Sequence, residues 1–405
     1  MSVNEVKSLK YNLIGGGLPI SCRVLDGKII PALSEGELDS TCPSDVWHAM
    51  FMRNMGRFYV FHANESFTAI EGAGQPFSRM AADNATVPFA VEYKIGAISA
   101  SMCIYNAKAI FYDNTGRYYH DYPHNVGGGV YKNGRVFAID LSNYCRICWT
   151  GEGGVDDWEE KIDGAGWLYL DVELGNIYRL YVLDGQIVAL RKYGISLISA
   201  YGTPENFKEV MSVPTLPPYK ECATVCGKKL YFYTNGGLHT FTAAGVEKVD
   251  LKLAEDFTSP IYSMTYGDSV FFLGTHKKLE KRVILVYNTK DKSSYFIDIP
   301  ATALCAGAEP YAFTSEGMIK LTKGLSFKYE SEEFAHFSKR KKTLKSIFVD
   351  SEKGVDVTVQ TDGGSRLFKG VKGELKTHMC GRFFKVGVEG TDGEIRQLTA
   401  TVEYY

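Results

Sequence analysis

The sequence lacks long apolar runs. A membrane-spanning helix needs about 20 consecutive, mostly apolar residues, and no stretch of the chain supplies them. The amino terminus also lacks the apolar segment of a signal peptide. We therefore expect a soluble protein that is made in the cytosol and has no membrane partner.

The chain also lacks a surplus of charge of either sign. Lys and Arg number 45 against 47 Asp and Glu, which leaves a formal net charge of −2. Proteins that wrap nucleic acid or dock on anionic membranes carry basic surfaces. This charge balance excludes tight binding to DNA and is compatible only with loose, nonspecific contact.

The motifs of several common enzyme classes are absent. The sequence contains no Gly-x-Ser-x-Gly elbow, no His-Glu-x-x-His and no phosphate loop of the form Gly-x-x-x-x-Gly-Lys-Ser/Thr. The Ser-x-Asp-x-Gly-x-x-x-Trp boxes of sialidase-type propellers do not occur either. We predict that the chain is not an enzyme and has no cofactor.

The cysteines form no disulfide framework, because they are nine in number and widely dispersed. Cys145 and Cys148 have the spacing of half a zinc knuckle, and Cys222 and Cys226 would be the other half. Both pairs lie in strand-like segments without an intervening turn glycine. We predict reduced core thiols and no metal.

Strand signals, by contrast, recur along most of the chain. Tyr (26), Phe (23) and Gly (41) are abundant, as expected for strands joined by tight turns. A unit of Gly, a polar residue and an apolar or aromatic run appears at Gly56, Gly134, Gly185, Gly227 and Gly267, with weaker copies at Lys108 and Pro310. Helix signals are confined to two short candidates, Ser44–Met52 and Lys252–Phe257.

The spacing of this unit indicates the fold. Counted from Gly134, successive starts lie 51, 42 and 40 residues apart, and about 40 to 50 residues is the blade period of a β-propeller. We predict an all-β chain with a six- or seven-bladed propeller over residues 1–334, six being favoured by the early copy at Lys108. Residues 281–298 form the outer hairpin of a blade, and Leu13–Leu33 is the candidate segment that closes the ring.

The pattern changes near residue 335. A basic run, Lys339–Lys342, follows the acidic run Glu330–Glu333, and the pair is typical of a solvated linker, although four cations could also grip phosphate. Alternating strands then continue to the carboxyl terminus, so residues 335–405 are predicted to form a small β-sandwich.

Two segments combine residues suited to a site. One is an acidic, Gly-rich loop, whose candidate residues are Trp149, Glu152, Asp156, Asp157, Trp158, Glu159 and Glu160. A glycosidase needs two carboxyl groups about 5 to 10 Å apart, but neighbouring acids in such a loop are more often solvated surface. The other segment is His120-Asp121-Tyr122-Pro123-His124, which would bind a metal only on a rigid face, and its Pro and the glycines that follow favour an exposed loop.

The stretch from Asn133 to Phe207 resembles the propeller proteins of bacteriophage virions. In those proteins a blade strand is followed by a Trp-bearing loop and then by an apolar strand, a basic residue, Tyr or Phe, Gly and an apolar pair. In this chain the last part is Ala189-Leu190-Arg191-Lys192-Tyr193-Gly194-Ile195. The family comprises tail nozzles and packaged-DNA stabilisation (head-completion) proteins, and Gly381–Val386 is similar to its closing domain.

The resemblance implies a structural virion protein. It would be a homo-oligomeric ring, of six copies in the family, in the head–tail connector or tail nozzle through which DNA passes. Implied partners are further copies, the portal or adaptor, other tail proteins and, transiently, DNA; the protein would assemble in the host cytoplasm and reside in the virion tail. Acidic channel loops would suit passing phosphates, with Asp156, Asp157, Glu159 and Glu160 as leading candidates. The alternatives are a carbohydrate-binding or hydrolytic propeller, such as an adhesin or a glycosidase, and a peptide-binding scaffold.

Overall fold

The computed structural model describes residues 7–42, 44–53, 56–62, 66–71, 76–81, 88–95, 98–105, 108–113, 116–121, 124–159, 163–336 and 340–404. Over these ranges the chain is almost entirely β-structure and contains no α-helix, hence none that could span a membrane. Three short 3-10 segments occur, at Val172–Leu174, Pro204–Asn206 and Lys252–Asp256.

The strands follow one another in chain order from β1 to β39. The first thirteen are β1 (Lys7–Asn12), β2 (Leu18–Ile20), β3 (Cys22–Leu25), β4 (Lys28–Pro31), β5 (Leu33–Asp39), β6 (Val46–Met52), β7 (Arg57–His62), β8 (Ser66–Glu71), β9 (Pro76–Ala81), β10 (Phe89–Ile95), β11 (Ile98–Tyr105), β12 (Lys108–Asp113) and β13 (Gly116–Asp121). The next twelve are β14 (Val126–Lys132), β15 (Arg135–Asp140), β16 (Arg146–Trp149), β17 (Gly166–Tyr169), β18 (Ile177–Leu183), β19 (Gln186–Arg191), β20 (Gly194–Ser199), β21 (Lys208–Pro214), β22 (Pro218–Cys226), β23 (Lys229–Thr234), β24 (Gly237–Thr242) and β25 (Gly245–Lys248). The last fourteen are β26 (Phe257–Tyr266), β27 (Ser269–His276), β28 (Lys281–Asn288), β29 (Ser294–Ile297), β30 (Ala303–Ala306), β31 (Pro310–Thr314), β32 (Gly317–Lys323), β33 (Phe327–Glu330), β34 (Lys342–Ser351), β35 (Val355–Thr361), β36 (Gly364–Val371), β37 (Gly373–Gly381), β38 (Phe384–Gly390) and β39 (Ile395–Tyr404).

The chain divides into two compact units. The larger, which we call the blade unit, comprises residues 38–282 and 300–319; the smaller, the sandwich unit, comprises residues 1–37, 283–299 and 320–405. This division differs from the boundary predicted at residue 335, because the amino-terminal strands and residues 283–299 belong with the carboxyl-terminal ones.

The blade unit repeats one antiparallel module. Five complete four-stranded sheets follow one another as β6–β9, β10–β13, β14–β17, β18–β21 and β22–β25. The hairpins β26–β27 and β30–β31 begin two further modules. Seven modules of this kind make the chain an all-β propeller, as predicted, and favour the larger of the two predicted blade numbers.

The recurring glycine marks the turn between the first and second strands of a module. Gly134 and Gly185 both have φ of 77°, and the residues before them, Asn133 and Asp184, also have positive φ. Two consecutive residues in the left-handed region form the tight hairpin turn that matches strand twist. Glycine adopts this conformation without a steric penalty, which explains why it recurs there.

The second strand is buried on both faces in the three modules that contain β15, β19 and β23. Every residue of β15 is buried, and in β19 and β23 only the first residue is partly accessible. Strands covered on both sides read as continuous apolar runs instead of alternating ones. This burial is the physical origin of the apolar run in the sequence repeat.

Adjacent modules are joined at equivalent positions. Arg179 Nη1 donates to Glu221 Oε2 over 2.7 Å, and the two residues are 42 positions apart. The Tyr181 hydroxyl donates to the Ala223 carbonyl with the same separation, as does Ser263 Oγ to the Glu221 carbonyl. The 42-residue period of the sequence is therefore also the period of the contacts between sheets.

The sandwich unit consists of two sheets that share one apolar core. One sheet has the order β3-β4-β39-β34-β37, with β1 paired to β39. The other includes β2-β33-β38-β35-β36. Buried side chains of both sheets meet in the core, among them Ile347 and Leu398 from the first and Val357 and Val386 from the second.

The amino-terminal segment contributes strands to three sheets. Within Leu13–Leu33, β2 pairs with β29 and β33, whereas β3 pairs with β4 and β4 also with β39. The next strand, β5, begins at Leu33 and ends the sheet β30-β31-β32-β5, where Ser34 Oγ donates to the Thr322 carbonyl. The predicted closure of the ring by this segment stays a prediction.

Other local expectations had mixed outcomes. The hairpin predicted over residues 281–298 is present as β28–β29. Ser44–Met52 contains a strand, β6, and not a helix, whereas Lys252–Asp256 is a 3-10 segment. The predicted linker is only partly solvated: Lys339 lies outside the described residues, but Lys342 is buried and donates to the carbonyls of Ala335 and Arg382.

Candidate functional site

The acidic loop follows β16 and is held by Arg135 at the start of β15. Arg135 Nη1 donates to the carbonyls of Thr150 and Asp163 over 2.8 and 2.9 Å, and Nη2 to Glu152 Oε2 over 3.3 Å. Thr150 Oγ1 bonds to the Gly154 carbonyl and accepts from Val136 N. One buried guanidinium thus binds Thr150 and Asp163, which lie on either side of the loop.

Trp149 belongs to the core and not to the loop surface. Its side chain is 5% exposed, and its ring contacts Phe137 and Phe207 at centroid distances of 6.0 and 5.1 Å. The indole Nε1 donates to the Gly164 carbonyl over 2.9 Å. In this position Trp149 packs against core side chains of its module.

Trp158 is half-buried and packs against an apolar cluster that is separate from the one that contains Trp149. Its ring centroid lies 6.1 Å from that of His124. Burial lowers the pKa of His124, although the carboxylates of Asp156, Glu159 and Asp157 act in the opposite direction. His124 is thus placed against the acidic loop; the side chains of His120 and Asp121 lie outside the part of the chain that the structure describes.

The remaining predicted carboxylates face solvent to different degrees. The Glu152 side chain is 77% exposed despite its ion pair with Arg135. Asp156 and Glu159 are exposed and Asp157 is half-buried, while Glu160 lies outside the described residues. The described part of the loop therefore carries exposed carboxylates.

An exposed aromatic cluster lies on the next strand, where no candidate was predicted. Trp167 and Tyr169 of β17 are 44% and 49% exposed, and their rings meet at 4.9 Å in an edge-to-face arrangement. The Arg146 guanidinium lies 5.7 Å from the Trp167 ring and 5.8 Å from the Tyr169 ring. We call these three residues the aromatic cluster. Alternation along β17 was the available sequence signal, since Trp167 and Tyr169 are two residues apart.

A second constellation lines a cavity of about 370 Å³ among the first strands of several modules. Besides the Arg179–Glu221 pair it contains His48 of β6, whose Nδ1 lies 3.9 Å from Glu221 Oε2. The Tyr262 hydroxyl donates to the Ala49 carbonyl over 2.9 Å. Sequence reasoning missed this group, because its members are dispersed over more than 200 residues.

Burial and nearby charges together set the pKa values of the groups in this cavity. Burial, followed by the nearby Arg179 cation, holds the pKa of His48 well below its usual value, so the imidazole is neutral. Burial is the largest influence on Arg179 and acts to lower its pKa, but Glu221, Tyr181 and Tyr262 together outweigh it and the pKa is raised. The charged pair joins the neighbouring first strands β18 and β22, and the tyrosine hydroxyl joins β26 to β6, so the group links the first strands of different modules.

The motif that carries the virion resemblance has a structural explanation. Arg191 is fully buried, and its guanidinium donates to the carbonyls of Gly175 and Asp171 and to Ser196 Oγ. A side chain at Gly194 would meet the Val213 carbonyl at 2.5 Å. The basic residue and the glycine of the motif are thus required by packing in this blade.

The four cysteines whose spacing suggested two halves of a zinc knuckle do not form a zinc site in the described structure. Cys148 Sγ donates to the Ala138 carbonyl and Cys226 Sγ to the Gly267 carbonyl, and burial raises the pKa of Cys148 to about 12. All nine cysteines are free thiols. Within the described part of the chain, no group of three or more His, Cys, Asp or Glu side chains is placed to hold a metal.

Comparison with known proteins identifies a class by fold alone. No protein-family model matches the sequence, and a search of curated proteins finds no match. Among solved structures, BBS1N in complex with ARL6DN is similar at 12% identity in two crystals, each covering 71% of this chain. One match covers 96% of that chain with a TM-score of 0.51, and the other covers 95% with a TM-score of 0.47. BamB from Moraxella catarrhalis is similar at 12% identity over 78% of this chain and 95% of that one, with a TM-score of 0.43. The chain is accordingly a β-propeller protein, and at this identity the likeness extends to fold only.

Proposed function

We propose that the chain is a structural virion protein of a bacteriophage, a subunit of a homo-oligomeric ring in the head–tail connector or tail nozzle. The observation that carries the proposal is the aromatic cluster of β16 and β17, inside the stretch that resembles virion propellers. Trp, Tyr and Arg dominate the energetic centres of protein interfaces. Two exposed aromatic rings beside a half-buried arginine support a protein contact in this blade, with another virion protein as the partner.

The acidic loop is assigned to the channel in this proposal. Asp156 and Glu159 are exposed and the loop is fixed by Arg135, so it can present carboxylates at a constant position. A surface of this sign repels the phosphates of passing DNA, whereas a basic surface would bind and retain them. A map that buries these side chains in a subunit contact, or shows a basic lumen, contradicts this assignment.

The test uses particles made from the genome that carries this gene. We expect the chain in purified virions at a fixed ratio to the portal, and ring-shaped density below the portal in cryo-electron microscopy. Trp167→Ala/Tyr169→Ala should reduce incorporation at least about tenfold, because such anchors are worth about 2 kcal/mol or more each. Leu216→Ala, another half-exposed apolar residue of the blade unit, is the control and should incorporate normally. Particles that lack the wild-type chain would refute the proposal.

A carbohydrate-binding role is the second candidate, because Trp167 and Tyr169 also present exposed aromatic rings. It predicts a monomeric chain that binds glycans on an array and loses binding in the same double variant. The ring proposal predicts no such binding.

A further inference from the structure

Strand β36 is an open, basic sheet edge. It ends its sheet, and six of its eight residues are exposed. It contains Arg366 and Lys369 and no acidic residue. Charged residues commonly protect an edge from pairing, but here the Arg366 guanidinium lies 5.0 Å from the Phe368 ring centroid, over its own strand. Leu367 is 52% exposed beside it.

Strand β5 is an open, acidic edge. It also ends its sheet, and it carries Glu35, Glu37 and Asp39 without a Lys or Arg. Glu35 and Glu37 are exposed, and Leu38 between the acids is 41% exposed. The two strands therefore offer the same combination, an apolar side chain flanked by charge, with opposite signs.

Charge reduces the open edges to two combinations, β5 with β36 and β5 with β1. Among the described strands that end a sheet, β5 is the one with a net negative charge, while β36 and β1 each carry two cations and no acid. Of these two cationic strands β36 is the longer, with eight residues against six, and so offers more main-chain pairing. Pairing β36 with its own copy would oppose like charges, which is destabilising. We propose that copies of this chain assemble head to tail, β36 of one copy adding to β5 of the next.

An antiparallel register accommodates both faces of the added strand. Leu38 opposite Leu367 places Asp39 opposite Arg366 on the other face, because side chains alternate along each strand. Main-chain hydrogen bonds supply the affinity in strand addition, and the alternate side chains supply the selectivity. A heterologous contact of this type generates a closed ring when its rotation closes. The interface rests on the proposed ring and specifies how its subunits join.

Charge reversal tests the pairing on the full chain. Native mass spectrometry should show an oligomer for wild type, and Arg366→Glu/Lys369→Glu or Glu37→Lys/Asp39→Lys should each raise the dissociation constant at least about tenfold. Mixing the two variants should restore an oligomer, since each supplies the edge that the other needs. Lys7→Glu/Lys10→Glu on β1 is the matched control and should assemble like wild type.

Disulfide trapping provides a second measurement, which also detects a weak contact. With Cys380→Ser as background, a Leu38→Cys chain mixed with a Leu367→Cys chain should form a linked dimer, whereas either alone should not do so to the same extent. An oligomer that resists the charge reversals overturns this interface and leaves the ring standing. No oligomer and no cross-link overturn the pairing, and the virion experiment then decides the proposed function separately.

Discussion

Trp149 and Trp167 lie on adjacent strands of the same sheet and differ in how much of each ring is exposed. Trp149 is 5% exposed and pairs with Gly166, whose missing side chain makes room for the indole ring. Trp167, the next residue, is 44% exposed and faces away from that core. The difference teaches that alternation across a pleated sheet, and not residue type, separates packing from binding in this blade.

The largest expected effect sharpens this contrast. Trp149→Ala should lower the free energy of unfolding by about 3 to 5 kcal/mol, because a buried aromatic is removed and a cavity remains. Trp167→Ala should change it by less than about 0.5 kcal/mol, as surface substitutions usually do. Guanidinium denaturation of both variants gives the comparison, and equal losses would break it.

The next effect compares two neighbouring cations. Arg191→Met should cost about 3 kcal/mol of unfolding free energy, because the carbonyls of Gly175 and Asp171 lose their buried donor. Lys192→Met, on the exposed next residue, should be nearly neutral. Thermal unfolding of the two variants measures the difference. A nearly neutral Arg191→Met would show that the buried guanidinium is dispensable to the motif.

The smallest effect concerns pH. Because the pKa of His48 is held below its usual value in the folded chain, the unfolded chain takes up a proton first as the pH falls. Stability should therefore be retained above about pH 6.5, the ordinary histidine pKa, and decline below it. His48→Phe keeps a ring beside Tyr262 and should show a shallower decline between about pH 7.5 and 5.5 in denaturant titrations. An unchanged slope would mean that the carboxylates alone govern acid sensitivity.

The local residue pattern was sufficient to predict the structure where a single buried face or a single turn dictated that pattern. The glycine at position 134 requires positive φ, and the apolar run behind it is buried on both faces, so period and fold class followed together. The strands of the carboxyl-terminal region alternated clearly enough to be located. In contrast, β1 to β4 have ordinary strand patterns that fit either unit, and nothing local specifies their partners.

The site was less predictable than the fold. Trp149 and Trp167 have the same chemistry, and only the register of β16 against β17 decides which one reaches solvent. His48, Arg179 and Glu221 are far apart in sequence and meet because the first strands of different modules converge.

By itself, the sequence determined the repeating β-module and its period. These features depend on local conformational preferences and on alternation, which neighbouring residues set. The tertiary structure alone decided the membership of the sandwich unit, the burial of Trp149 and the composition of the cavity. Each of those depends on which distant strands pair, and pairing is governed by main-chain hydrogen bonds that every residue except proline can form.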